Sequence, residues 1–285
     1  MSLDLDIMLL VLAAAVIHAT WSALVKASGE HFLTLMIIIC TGSLMAAMVL
    51  PVLSFPPRAA WPYLAAAFFL HQGYYLFMLL SYRVGDLNQV YPLARGIAPL
   101  VVAGLAAVFA GEVPNGGGVV GIGAVSVGIA GLAFSGGLPR GRAVAPIAMA
   151  AATGLCLGTF TVVDGIGVRL SAAPWDFIAW LLFLNGLPMA MVALSLRRAR
   201  LRLYLSTRWK SACGGGILSA LGFTIVLYAL GRGGMAHVAA LRETSVLFAA
   251  LIGSLMLHEP LGLRRTVAAA VIAIGLVVLQ LSGRF

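Results

Sequence analysis

The sequence predicts an all-α integral membrane protein of ten transmembrane helices, built as two inverted five-helix repeats. Three observations carry this reading. The first is composition: of 285 residues 62% are apolar and only 9% charged, with a mean hydropathy of +1.06. Soluble domains carry about 25% charged residues, and a soluble surface so short of charge would be one large apolar patch. The second is a recurrence of apolar runs separated by breaks too short to hold a soluble domain. The third is a duplication: rare charged residues recur at one fixed spacing along the chain. Disorder, coiled coil and a nucleic-acid-binding domain are excluded on composition. The net charge of +9 and pI of 10.1 would elsewhere suggest a nucleic-acid partner. Here the 18 Lys and Arg are divided among short breaks, where membrane topology accounts for them.

A spanning helix needs about 20 apolar residues. Such spans fall near 7–26, 32–54, 61–82, 87–110, 117–135, 144–165, 176–196, 212–230, 236–257 and 265–282. The breaks carry turn signals: Pro56-Pro57, Gly85-Asp86, Pro114-Asn115-Gly116, Pro139-Arg140-Gly141, Pro174 and Gly262. Before the first span, Met1 to Asp6 has no basic n-region, so that span is expected to remain as a helix. It carries His18 and Trp21 one turn apart. The third span places His71, Tyr75, Met78 and Tyr82 on one helical face. His71 and Tyr75 suit a cavity wall, whereas Tyr82 suits the interfacial aromatic belt. The fourth span holds Arg95 between Pro92 and Pro99, with Tyr91 just before. Prolines bend a helix and free its carbonyls, with or without a ligand role. The fifth and eighth spans pair small residues four apart, Gly117 with Gly121 and Gly216 with Ala220, as close helix packing in lipid requires. Between the seventh and eighth spans lies the longest polar stretch, Arg197 to Lys210, read as a break. The ninth span contains His237, Arg242 and Glu243. Cys40, Cys156 and Cys213 lie in apolar stretches and imply no disulfide framework.

The duplication is read from a single offset. Ala94-Arg95-Gly96-Ile97-Ala98-Pro99-Leu100 aligns with Leu241-Arg242-Glu243-Thr244-Ser245-Val246-Leu247, and Arg95 and Arg242 stand 147 residues apart. The same offset pairs Glu112 with Glu259, Gly128 with Gly275, and Ser135-Gly136 with Ser282-Gly283. The repeats are therefore expected over residues 7–136 and 144–283, with five helices each. An odd number of spans inverts the second copy, and inverted repeats in transporters place the substrate site near the midplane between them.

Ionisable residues at membrane depth are costly, and a functional role is the default reading. Arg95 and Arg242 lie about 9–12 Å from their helix starts and approach the midplane from opposite sides. One acid, Glu243, is well placed to serve them, and it cannot satisfy both. Two readings follow. In one, the arginines hold a substrate carboxylate or phosphate-type oxyanion. In the other, they are structural locks paired with Glu243 and backbone carbonyls. A central cavity holding both arginines favours the first; a dry, closed bundle with Arg242 locked to Glu243 favours the second. The expected substrate-binding residues are Arg95, Arg242, Tyr91, His71, Tyr75, Trp21 and His18. Glu243 is a proton carrier or an ion-pair partner, with His237 and His18 as other proton carriers. Glu112 and Glu259, at helix ends, are expected as interfacial caps or conformational latches. Asp164 stands alone near the end of the sixth span. No ATP-binding Gly-rich motif, metal-binding helix or catalytic cluster occurs, so no ATP use, metal, cofactor or enzymatic activity is expected.

Twelve of the Lys and Arg fall in breaks after odd-numbered spans and four in breaks after even ones or at the C-terminus. The positive-inside rule then predicts both termini outside.

The runs Trp21 to Lys26, Gly85-Asp86-Leu87 into Val90-Tyr91-Pro92-Leu93-Ala94-Arg95, Leu241 to Ser245, and Leu257-His258-Glu259-Pro260-Leu261-Gly262 resemble the EamA-type proteins of the drug/metabolite transporter superfamily. The likeness covers nearly the whole chain in two copies. The arginine-bearing runs resemble a bacterial subgroup with members associated with phosphonate utilisation. The resemblance implies ten helices, alternating access without ATP, and small metabolites as substrates, often exported amino acids. Relatives that carry sugar phosphates bind the phosphate with basic residues in a central cavity. The family usually keeps both termini in the cytoplasm, opposite to the charge count. Small multidrug relatives keep an acid in their first helix; nothing acidic lies between Asp6 and Glu30 here, which speaks against cationic drugs. The expected function is a secondary transporter of a small anionic or zwitterionic metabolite in the inner membrane, monomeric or not. An amino acid exporter, or from another class a non-transporting membrane scaffold or sensor, are the alternatives.

Overall fold

Without water to satisfy them, backbone amides inside a bilayer must bond within their own helix, and the apolar runs fold accordingly. The computed structural model describes residues 3–28, 31–84, 87–133, 144–196, 198–249 and 263–282, all helical or in short turns, with no strand among them. The helices are α1 (Leu5–Ala27), α2 (His31–Val49), α3 (Trp61–Val84), α4 (Leu87–Phe109), α5 (Gly116–Ala133), α6 (Val144–Leu170), α7 (Pro174–Leu196), α8 (Arg198–Arg232), α9 (Met235–Arg242), α10 (244–249 of the described residues) and α11 (Leu263–Ser282). Seven, α1 to α4 and α6 to α8, are long and apolar enough to cross a membrane; α5 and α11 are shorter apolar helices. Large apolar side chains such as Met48, Phe69, Val108, Val127 and Ile274 are exposed on the outside of the bundle, as a lipid-facing surface requires. Alanines, large apolar side chains such as Phe177, Met36, Ile122 and Leu181, and a few polar groups fill the interior.

Helix partners exchange in a regular way. α1 packs on α8 and α3 on α6; α2 packs on α7, α4 on α9, and α5 on α11. The α5–α11 contact is close: a Cβ on Gly121 would lie 2.7 Å from the Leu279 nitrogen, and one on Gly275 2.8 Å from the Val125 nitrogen. Gly216 faces Thr41 on α2 with a similar lack of room. Both are approaches that only small residues permit.

Two ends of the bundle can be told apart by their contacts. One gathers Leu3 beside Gly233, Ser54 bonded to Asp176, Glu112 bonded to Met235, and Asn115 bonded to Ser282. Both described termini therefore lie at this end. The other end joins Ser28, Thr34 and Tyr204.

Two features depart from the sequence expectation. The polar stretch read as a break, 197–210, is helical from Arg198 onward and forms the start of the 35-residue α8. Arginine, lysine and leucine are good helix formers. Here Leu201, Tyr204 and Leu205 turn one stripe onto Leu33, Met36 and Ile37 of α2, and Tyr204 Oη bonds Thr34 Oγ1 at 2.7 Å. At 1.5 Å per residue α8 is about 52 Å long, longer than the ~30 Å hydrocarbon core. The ninth span, in turn, is broken. α9 ends at Arg242, Glu243 sits in a turn, and the chain becomes helical again at Thr244. The Thr244 hydroxyl donates to the Leu241 carbonyl at 2.8 Å, a side-chain bond that competes with the helix ladder. Tyr82, Gly85-Asp86, Ser135-Gly136, Leu257 to Gly262 and hence Glu259 lie outside the residues described to the level of side chains.

Candidate functional site

The break in the ninth span and the proline-rich α4 meet. Pro99 has no N–H to offer the carbonyl of Arg95 four residues earlier, so the α4 ladder is interrupted at Arg95 itself. Gly154 of α6 lets α4 come close: a Cβ there would sit 2.6 Å from the Ala94 carbonyl oxygen. Arg95 is thereby buried between α4, α6 and the α9–α10 turn, with 4% of its surface exposed. Its Nε lies 2.8 Å from Glu243 Oε2, and its Nη2 donates to Ser245 Oγ at 2.8 Å. Its guanidinium carbon stands 5.8 Å from the centre of the Tyr91 ring, within cation–π range. Tyr91 Oη and His18 Nε2 are joined at 3.3 Å, and His18 meets Trp21 edge-on at 4.8 Å.

Arg242 is served differently. Its Nη2 is 3.8 Å from Glu243 Oε1, beyond hydrogen-bond distance, and its buried Nε has no hydrogen-bond partner among the described residues. Glu243 is fully buried. Two guanidiniums thus share one carboxylate, and the carboxylate leans to Arg95. A small crevice lies beside Arg95, lined by Tyr74, Met78, Ser81, Tyr91, Thr153 and Leu157 among others; Arg242 does not line it.

A second polar cluster lies between α3 and α6. His71 Nε2 and Asp164 Oδ2 are 3.0 Å apart, both side chains buried. The His71 ring stacks on Phe160 at 3.9 Å, with Phe223 and Tyr75 edge-on or tilted beyond. Beside it Gln72 donates to Asn185 at 3.2 Å. Asp164, read from sequence as solitary, is partnered across 93 residues.

At the end of the bundle, Gly111 adopts φ +68°, a left-handed conformation that favours glycine and turns the chain after α4. Glu112 follows it. Its Oε2 accepts the Met235 N–H at 2.6 Å, at the start of α9. Its Oε1 lies 2.6 Å from Arg169 Nη1, and Arg169 also donates to the carbonyls of Leu230 and Gly233. His237 is buried on α9, on the Glu112 side and away from the arginines. So His18, Trp21, Tyr91, Arg95, Arg242 and Glu243 are brought into one site. His71 and Tyr75 form a neighbouring one, and Glu112 and His237 stand apart from both. Asp164, Tyr74 and Ser245 are polar members that sequence reasoning passed over. The 147-residue offset pointed to Ser245 only as a neighbour of Arg242, and Asp164 had no signal beyond its charge in an apolar run.

Residues 145–281 match the family model described as the EamA-like transporter family. A solved crystal structure superposes with a TM-score of 0.81, covering 98% of this chain and 98% of that one at 17% sequence identity; at that identity the likeness is one of fold. No curated protein matches the chain.

Proposed function

We propose that this chain, an EamA-type protein of the drug/metabolite transporter superfamily matched through residues 145–281, moves a small anionic or zwitterionic metabolite across the inner membrane. In this reading the transport is secondary, by alternating access and without ATP. Ten spans in two inverted repeats, over residues 7–136 and 144–283, belong to the same proposal. The exchanged helix partners, α1–α8 with α3–α6 and the self-paired α2–α7, α4–α9 and α5–α11, support it.

One observation carries the substrate class: two buried guanidiniums share a single buried carboxylate. A buried charge is costly unless paired and hydrogen-bonded. An arriving oxyanion offers the bidentate partner that Arg242 lacks. Glu243 then acts as a resident stand-in, holding Arg95 until the substrate takes its place. Tyr91, His18 and Trp21 form the wall on the α1 side; His71 and Tyr75 lie behind Tyr74. The Glu112–Arg169–Met235 contact is a latch across three helix ends. A carboxylate of an exported amino acid and a phosphonate both fit the same fork. The buried Arg95–Glu243 pair is the observation that favours a non-transporting scaffold or sensor instead.

A thermal-shift screen of the purified protein against amino acids, phosphonates and organic acids separates these readings. Ligands that bind only the folded state raise its apparent stability. An anion that stabilises the wild type and not Arg242→Gln is the expected result. A protein that no anion stabilises supports the scaffold.

A further inference from the structure

We infer that the His71–Asp164 pair is a proton-binding site coupled to anion binding at Arg95 and Arg242. This rests on the transporter reading for its purpose and on its own geometry for its existence. Asp164 has no exposed surface, and His71 3%. Only one Asp164 oxygen is used: Oδ2 meets His71 Nε2, while Oδ1 is buried with no hydrogen-bond partner among the described residues. A buried carboxylate oxygen left open is a costly arrangement and an acceptor for one proton.

The titratable groups around the pair come from three elements. Tyr74 and Tyr75 come from α3 itself, and Cys156 from α6 stands near Gly73. α7 contributes the neutral Asn185 amide to Gln72, and α8 the Phe223 ring. The charge that reaches Asp164 from outside the pair is Arg242 on α9. Phe160 touches both His71 and Tyr74, and Tyr74 lines the crevice beside Arg95. The proton site and the arginine site are thus adjacent but separately walled.

The charges close into a simple scheme. With His71 neutral, Arg95 and Arg242 are balanced by Glu243 and Asp164. A proton from water binding at Asp164 Oδ1 forms one O–H bond and breaks none within the protein. It leaves the buried set with one excess positive charge beside the arginines. An anion on the arginine fork offsets that charge, in whole or in excess. Each ligand therefore raises the affinity for the other, and by linkage the effect is reciprocal.

The test uses the full chain in lipid nanodiscs. Infrared difference titration without any ligand, between about pH 5 and 8 where histidine-linked sites change charge, reads the carboxylic-acid and imidazole bands. The wild type is expected to take up a proton with a band that both Asp164→Asn and His71→Gln remove, and that Tyr204→Phe keeps. If Asp164→Asn does not fold, Asp164→Glu must shift the band. A proton uptake unchanged in His71→Gln and Asp164→Asn, or a band that follows sodium rather than pH, overturns the site. In a second arm sulfate, whose charge is constant over this range, is added to weakly buffered protein with a pH dye. Proton uptake on sulfate binding in the wild type, absent in Asp164→Asn although sulfate still binds, supports the coupling. Binding with equal uptake in both overturns it. Failure of sulfate and every other anion to bind, with the infrared band intact, counts against the transport reading and leaves the proton site standing.

Discussion

The two buried polar clusters of this bundle are built on opposite plans. The arginine site brings three charges to a helix break, and its acid serves two bases. The His71–Asp164 site pairs one acid with one imidazole across two unbroken helices, and the imidazole stacks on Phe160. The first is unbalanced by charge, the second by one open oxygen. Polarity in lipid is retained in two forms here: as two guanidiniums on one carboxylate and as a carboxylate with one bonded oxygen.

Substitutions sharpen this contrast. The largest effect is expected at Arg95. Arg95→Gln leaves Glu243 buried with only a distant partner, and breaking a buried pair costs about 3–5 kcal/mol. Thermal or denaturant unfolding in detergent should show a large loss for Arg95→Gln and a much smaller one for the double variant with Glu243→Gln, giving a strong coupling energy in a double-mutant cycle. Additive losses would mean that the two side chains do not share their charge.

Next comes the backbone approach that seats Arg95. Gly154→Val places methyl groups against the Ala94 carbonyl, and overpacking of this kind costs about 1–3 kcal/mol. The same change at Gly123, which has open space around it, should leave stability nearly unchanged. Equal losses at the two positions would refute the role given to the α4–α6 contact.

Smaller still is the latch. Glu112 and Arg169 are partly exposed, so their ion pair is worth about 0–1 kcal/mol. The bond from Met235 N–H to Glu112 adds about 1 kcal/mol, the usual scale for a helix-start acceptor. Glu112→Gln, which keeps an acceptor, should lose less than Glu112→Ala in the melting temperature. The smallest effect is expected at the start of α8, where Tyr204→Phe removes one hydrogen bond to Thr34, about 1 kcal/mol or less.

The membrane helices were legible because lipid demands long apolar runs and short breaks. The meeting of Arg95 with the Arg242–Glu243 run was legible for another reason: a charge recurring at one offset in apolar runs singled out the two positions. What escaped was decided by contacts that no local pattern records. The start of α8 looked like a break because arginine and lysine counted against a membrane span, although they favour a helix and Tyr204 ties that helix to α2. The turn at Glu243 has no signal in the local apolar pattern, which runs on through it. Asp164 seemed solitary because its partner lies 93 residues away on α3, and hydropathy carries no information at that distance.

The central claim is that the unserved charge at Arg242 awaits a substrate anion. Its most direct measurement is calorimetric titration, into the wild type and Arg242→Gln, of the anion that gives the largest thermal shift. A charge-assisted hydrogen bond is worth about 1.5–3 kcal/mol, so the variant should bind at least about tenfold more weakly while remaining folded. Equal affinity in the two proteins would contradict the account and assign Arg242 a structural role alone.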